Sequence, residues 1–130
     1  MVRRADLHRF VDKARVRVAI DAAEQLTTAP IHVSIAPYFW GDVLRTARRA
    51  FRKRGLAKTT DRNGVLFFVV PSRREFAVVG DAGAHEALGQ RSWDAIAALA
   101  QRQFAAGDAT AGLITGIEEI GNALAAHWPR

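Results

Sequence analysis

Two hydrophobic periods alternate along this chain, and their alternation predicts a mixed α/β fold. Val16, Ala19, Ile20, Ala23 and Leu26 fall three and four residues apart, which traces one face of a helix. Asp6 is the expected N-cap, so a first helix is predicted over 6–28, with Pro30 blocking its continuation. The run Ile31-His32-Val33-Ser34-Ile35-Ala36 then switches to a period of two and is rich in β-branched side chains, the signature of a strand.

Pro37 and Gly41 bracket a loop that carries Tyr38, Phe39 and Trp40. Trp40 either contacts a ligand or tucks under the next helix. That second helix is expected to start from Asp42 as its cap, to turn Leu44, Ala47 and Phe51 inward, and to stop at Gly55. Residues 59–64 have loop chemistry. Val65 to Val70 is apolar without interruption, as a central strand covered on both faces would be. Ser72-Arg73-Arg74 predicts a tight turn into a third strand at 75–79, which Gly80-Asp81-Ala82-Gly83 ends. Ser92 is the expected cap of a third long helix with Trp93, Ile96, Ala100 and Phe104 inward. Gly107-Asp108 breaks it, and a last helix buries Leu113, Ile117, Ile120 and Leu124.

The order helix, strand, helix, strand, strand, helix, helix implies a right-handed parallel crossover between the first two strands and an antiparallel pairing of the last two. The expected fold is a single α/β domain over 1–130. It would be a three-layer α/β/α sandwich with a small mixed sheet of three strands, room for a short fourth, and four or five flanking helices. Gly112, Gly116 and Gly121 lie within the last helix, where each costs about 1 kcal/mol of propensity, so close packing against the sheet is expected there.

Composition narrows the function. The chain has 130 residues, 49% of them hydrophobic and 25% charged, as is ordinary for a globular domain. It has no cysteine, which excludes disulfides, thiolate nucleophiles and cysteine zinc sites together. No apolar signal core precedes the first helix and no run is long enough to span a bilayer, so a cytoplasmic, unanchored protein is expected. The net charge is +6, and most of the basic side chains are arginine. Arg45, Arg48, Arg49 and Arg52 recur at helical spacing opposite Leu44, Ala47 and Phe51, extended by Lys53 and Arg54. The plain reading is a solvated helix face; the functional one is contact with an acidic partner. Nucleic acid is the weaker partner, because no helix-turn-helix or aromatic stacking motif accompanies the stripe.

The predicted hairpin brings distant acids together. A turn centred near Arg73 places Asn63-Gly64 beside Asp81-Ala82, at the same end of the sheet as the start of the first strand. Glu24, Asp61, Asn63 and Asp81 should then converge on one rim. Carboxylate and amide oxygens suit calcium or magnesium, so a weak hydrated cation site is one reading. In the other, Glu24 pairs with Arg62 or Arg73, and Asp81 accepts amides of the turn it begins. Conventional phosphatase chemistry lacks its parts: there is no cysteine and no paired-aspartate loop, and His8, His32, His85 and His127 have no ligand spacing. No catalytic residue is assigned. His127, beside Trp128, reads as a packing or solvent residue.

Several ordered segments resemble the TPM domain family. They are Ala19-Ile20 through Glu24-Gln25-Leu26-Thr27, then Ile31 to Ile35, Arg62-Asn63-Gly64-Val65-Leu66, Gly80-Asp81-Ala82-Gly83, Gly112-Leu113 with Gly116-Ile117, and His127-Trp128-Pro129. No single piece is specific; the ordered set is. The family includes a thylakoid-lumen protein of photosystem repair and many bacterial proteins, often membrane-tethered. The resemblance implies a three-layer α/β/α sandwich, weak acid-phosphatase activity in one branch, and calcium or magnesium binding in others. It also implies a protein partner, for which a membrane-tethered relative is one candidate. Many members have aspartate where this chain has Arg62 and glutamate where it has Pro30. Each difference removes an oxygen ligand.

Overall fold

The apolar run Val65–Val70 forms the central strand, and every one of its residues is buried. A computed structural model describes residues 11–36 and 39–130 of the chain. Among them the elements run α1 (Lys13–Leu26), β1 (Ile31–Ile35), α2 (Val43–Lys53), β2 (Val65–Val70), β3 (Glu75–Gly80), α3 (Ala82–Leu88), α4 (Gln90–Ala105) and α5 (Ala109–Ala125). Single 3-10 turns lie at Leu56–Lys58 and Pro71–Arg73. The sheet order is β1-β2-β3, with β1 parallel to β2 and β3 antiparallel to it, so the expected α/β architecture is what the chain adopts. Both β1 and β3 are edges.

Alternation along β2 divides the core into two layers. Val65, Phe67 and Val69 face α1, α4 and α5, where Ile20, Phe104, Ile117 and Leu124 close over them. Leu66, Phe68 and Val70 face the other way, under Val43, Ala47 and Phe51 of α2 and Leu56 of the 3-10 turn. Burying a Phe or Leu side chain contributes roughly 1.5–3 kcal/mol, so this double-sided strand anchors both layers.

Helix α5 is the most enclosed helix of the larger layer because its glycines remove side chains where neighbours approach. A Cβ on Gly112 would lie 2.8 Å from the Ala100 carbonyl oxygen of α4. One on Gly116 would meet Phe67 of β2 at 2.8 Å, and one on Gly121 would meet Ala23 of α1 at 2.9 Å. Only Gly116 therefore packs on the sheet; the other two seat α5 between its helical neighbours.

Several boundaries differ from the sequence reading. Asp6 lies outside the described residues, but the helix starts at Lys13 and takes Asp12 as its cap, which accepts a hydrogen bond from the Arg15 amide. The chain is therefore not helical through 11–12. Leu26, the last residue of α1, is 49% exposed and does not join the buried face of Val16, Ala19, Ile20 and Ala23. On α2 the first inward residue is Val43, and Leu44 is 44% exposed. Helix α3 fills the stretch expected to do no more than end the third strand, and α4 begins at Gln90 behind Gly89 (φ 81°), which leaves Ser92 inside the helix. The hairpin itself keeps the expected register: Val65 pairs with Gly80, which sets Gly64 opposite Asp81. The turn holds Pro71–Arg73 in a 3-10 helix and places Arg74 in left-handed backbone at φ 51°, so it is longer than a tight turn.

Candidate functional site

Two surfaces collect the residues singled out in the sequence. The first is the rim where β1 and β2 begin and β3 ends. Here the Gly64 carbonyl accepts from the Asp81 amide at 3.0 Å, so the expected meeting of Asn63-Gly64 with Asp81 occurs. Loop 59–64 lies against the start of α3: the Arg62 carbonyl accepts from the Ala84 amide at 3.1 Å. Gly83 permits this approach, since a Cβ there would sit 2.2 Å from the Asp61 carbonyl oxygen and 2.7 Å from that of Arg62. Asn63 is buried and its amide donates to Thr59 Oγ1 at 3.3 Å.

The chemistry of this rim is set by Arg62, whose backbone is left-handed at φ 52°. Its Nε donates to Asp81 Oδ2 at 2.6 Å and its Nη2 to Asp81 Oδ1 at 2.8 Å. The Ala82 amide adds a third bond to Oδ1 at 2.8 Å. Asp81 is buried at 8% exposure, and the guanidinium hydrogen bonds hold its carboxyl below the usual range against the opposing effect of burial. Arg62, with its side chain 55% exposed, is pushed up by the same pair. A hard cation at Asp81 would have to displace a forked guanidinium. Among the described residues no three His, Cys, Asp or Glu side chains cluster closely enough to hold a metal ion. Asp61 is exposed, and Glu24, half-buried on α1, uses its carbonyl to accept from Arg130 Nε. The rim thus joins Asp61, Asn63 and Asp81 through one loop without joining Glu24 to them in a ligand set. Its one buried carboxylate, Asp81, is already engaged by Arg62. Neither pairing foreseen for Glu24 is seen: Arg62 serves Asp81, and Arg73 serves Glu75 and the carbonyls of Phe39 and Gly41.

The second surface is the outer face of α2. Arg45, Arg48, Arg49 and Arg52 are all exposed there, with Lys53 and Arg54 beyond them. No acidic residue lies in sequence between Asp42 and Asp61. The ion pairs among the described residues are Arg17–Asp21, Arg62–Asp81 and Arg73–Glu75, and none uses an arginine of α2. Asp42 caps the helix as expected, accepting from the Arg45 amide at 2.8 Å. Trp40 does not tuck under α2; it is 91% exposed beside the helix start. Tyr38 and Pro37 lie outside the described residues.

Two open grooves follow the sheet edges. One of about 430 Å³ runs between β3 and α4, past Phe76, Val78, Gln90 and Asp94. In it Trp93 stacks on His85 at 4.5 Å and covers Gly80, where a Cβ would lie 2.5 Å from the indole. The other, of about 340 Å³, follows β1 between Lys13 and Arg17 of α1 and Arg54 at the end of α2. At this edge His32 keeps a buried, unpartnered Nδ1. Its pKa is lowered by burial and then by the Arg54 charge, with Glu24 opposing. Sequence reasoning missed this groove because Lys13, Arg17 and Arg54 come from two helices and share no motif.

Comparison with known proteins places these surfaces in context. The TPM domain profile matches residues 4–123. The solved BA42 protein of the psychrophilic bacterium Bizionia argentinensis is similar at 34% identity and a TM-score of 0.80, over 90% of this chain and 80% of that one. The N-terminal domain of the cg2496 protein of Corynebacterium glutamicum shares the fold alone, at 19% identity and a TM-score of 0.63, over 84% of this chain and 68% of that one. The chain matches none of the curated proteins.

Proposed function

This chain belongs to the TPM domain family, and from that footing we propose that it is a non-catalytic binding domain that docks an acidic protein partner through the outer face of α2. One observation carries the reading: Arg45, Arg48, Arg49 and Arg52 form an exposed cationic face without a carboxylate partner among the described residues. Six acids elsewhere are engaged locally. Asp12, Asp42, Asp81 and Asp108 cap the starts of α1, α2, α3 and α5, while Asp21 and Glu75 pair with their own neighbours. Exposed Trp40 and Leu44 adjoin the arginines, and a face combining Trp and Arg with an apolar side chain has the make-up of a protein interface. No membrane-spanning helix is found among the described residues.

Cation binding and phosphomonoester hydrolysis find less support. Both would use the rim of Asp61, Asn63 and Asp81, whose one buried carboxylate is occupied by Arg62. The test is titration with polyglutamate at rising salt. Binding should fall steeply with ionic strength, as exposed charge pairs do, and be lost in Arg48→Glu/Arg52→Glu. Salt-insensitive binding, or binding unchanged in that variant, would remove α2 from the interface.

A further inference from the structure

Resting on that reading, we propose that the partner contributes an extended acidic segment that adds as a new strand to the free edge of β1. The backbone register defines the edge. The Pro30 carbonyl accepts from Val65 and the Ala36 amide donates to Val69, both at 2.9 Å. Even-numbered residues of β1 therefore bond to β2, and the amides and carbonyls of Val33 and Ile35 point away from it. No other described residue takes up those groups.

The surroundings select the charge of the incoming strand. The groove along β1 is flanked by Lys13 and Arg17 from α1 and by Arg54 from the end of α2, with Val16, Val33 and Ile35 as its apolar floor. Arg17 shares its charge with Asp21 through a pair exposed on both sides, which neutralises little. Arg54 belongs to both surfaces, so a segment lying in the groove continues onto the arginine face. A backbone ladder supplies affinity in such strand addition and alternate side chains supply specificity. A partner alternating acidic with apolar residues would set its apolar groups on the floor, with Lys13 and Arg17 flanking them, and turn its carboxylates to the opposite face of the sheet, toward Arg54 and the arginine face. The same cations oppose a second copy of this chain, whose edge would bring Lys13, Arg17 and Arg54 against their equivalents. The β3 edge is less suited to an acidic segment, because Asp94 lines its groove.

The probe is a short capped peptide alternating glutamate and valine, added to the whole chain while amide hydrogen exchange is followed by NMR. Exchange at Val33 and Ile35 should slow by about tenfold or more, while His32 and Ser34, already bonded to β2, should not change. Lys13→Glu/Arg17→Glu should weaken binding by about tenfold or more, and a matched lysine–valine peptide should not bind. Binding without added protection at Val33 and Ile35 overturns the strand addition; if that binding is still lost in Arg48→Glu/Arg52→Glu, the α2 reading survives alone. If neither this peptide nor polyglutamate binds, both fall. Equal protection by the lysine peptide or by oligothymidylate overturns the choice of an acidic polypeptide.

Discussion

Gly83→Ala separates two effects of opposite sign. Gly83 lies in the first turn of α3, and on propensity alone alanine would stabilise that helix by up to about 1 kcal/mol. The Cβ, however, would sit 2.2 Å from the Asp61 carbonyl oxygen and 2.7 Å from that of Arg62. Both obstacles are backbone, and the second accepts the Ala84 amide, so neither can swing aside as a side chain could. Overpacking costs roughly 1–3 kcal/mol, and a double backbone clash belongs near the top of that range. The net expectation is a loss of about 2 kcal/mol after the propensity gain. For a domain of this size that is a drop of roughly 6–10 °C in Tm. Urea denaturation gives the free energy, and amide shifts of Asp61 to Asn63 report whether the loop moves. Gly55→Ala is the comparator: Gly55 has φ 74° and nothing within 4 Å of where a Cβ would lie, so its cost is backbone strain without displacement of the Arg62 loop. A Gly83→Ala protein more stable than its parent would refute the argument.

Two further outcomes concern titration. Because Asp81 has its pKa lowered in the fold, its stabilisation is present above the unfolded carboxylate value of about 3.9 and is lost as pH falls through the folded value. Asp81→Asn should therefore be less stable at pH 7 and show a flatter loss below about pH 4, read from urea midpoints; an unchanged acid limb would count against the Arg62 pair. The His32 pKa is also lowered, so its unfolded form takes up a proton first, and stability declines as pH falls below about 6.5. Arg54→Gln removes the second of its two lowering causes and should raise the His32 pKa in an NMR titration; no movement would place Arg54 too far from the imidazole to matter.

Legibility in the sequence depends on whether local pattern or tertiary contact decides an element. β2 and α5 are legible because Val65–Val70 is unbroken and Leu113, Ile117, Ile120 and Leu124 repeat on one face. Helix α3 is not, since Gly83 resembles a turn residue when its actual reason is the approach of the Asp61-Arg62 loop from earlier in the chain. The start of α4 is equally hidden, because Ser92 has the chemistry of a cap while Gly89 makes the bend from the end of α3. At the rim, register alone brings Asn63 and Asp81 together, but the direction of the Arg62 side chain is not encoded in any spacing. Its left-handed backbone turns the guanidinium onto Asp81 and changes an expected ligand into half of an ion pair. The α2 stripe is visible as a pattern; that it lacks carboxylate partners among the described residues takes the fold to see.

The arginine face carries a cost that a merely solvated helix has no reason to keep. Arg45 and Arg49, and likewise Arg48 and Arg52, stand four residues apart on α2 and repel each other. Each like-charge pair of this kind costs a few tenths of a kcal/mol, and a glutamate four residues before an arginine contributes a similar amount in the opposite sense. Arg48→Glu would relieve its repulsion with Arg52 and substitute an attraction, so the variant should be more stable by roughly 0.5 kcal/mol. It should bind polyglutamate more weakly at the same time. That combination, a more stable fold with poorer binding, is what a face held cationic for a partner predicts, and high salt should shrink both effects together. Calorimetric Tm at low and high ionic strength, beside the polyglutamate titration, measures the two in one preparation. A variant that is stabilised yet binds as before would return α2 to an ordinary wetted surface, and one that is destabilised would mean that Arg48 holds a structural contact.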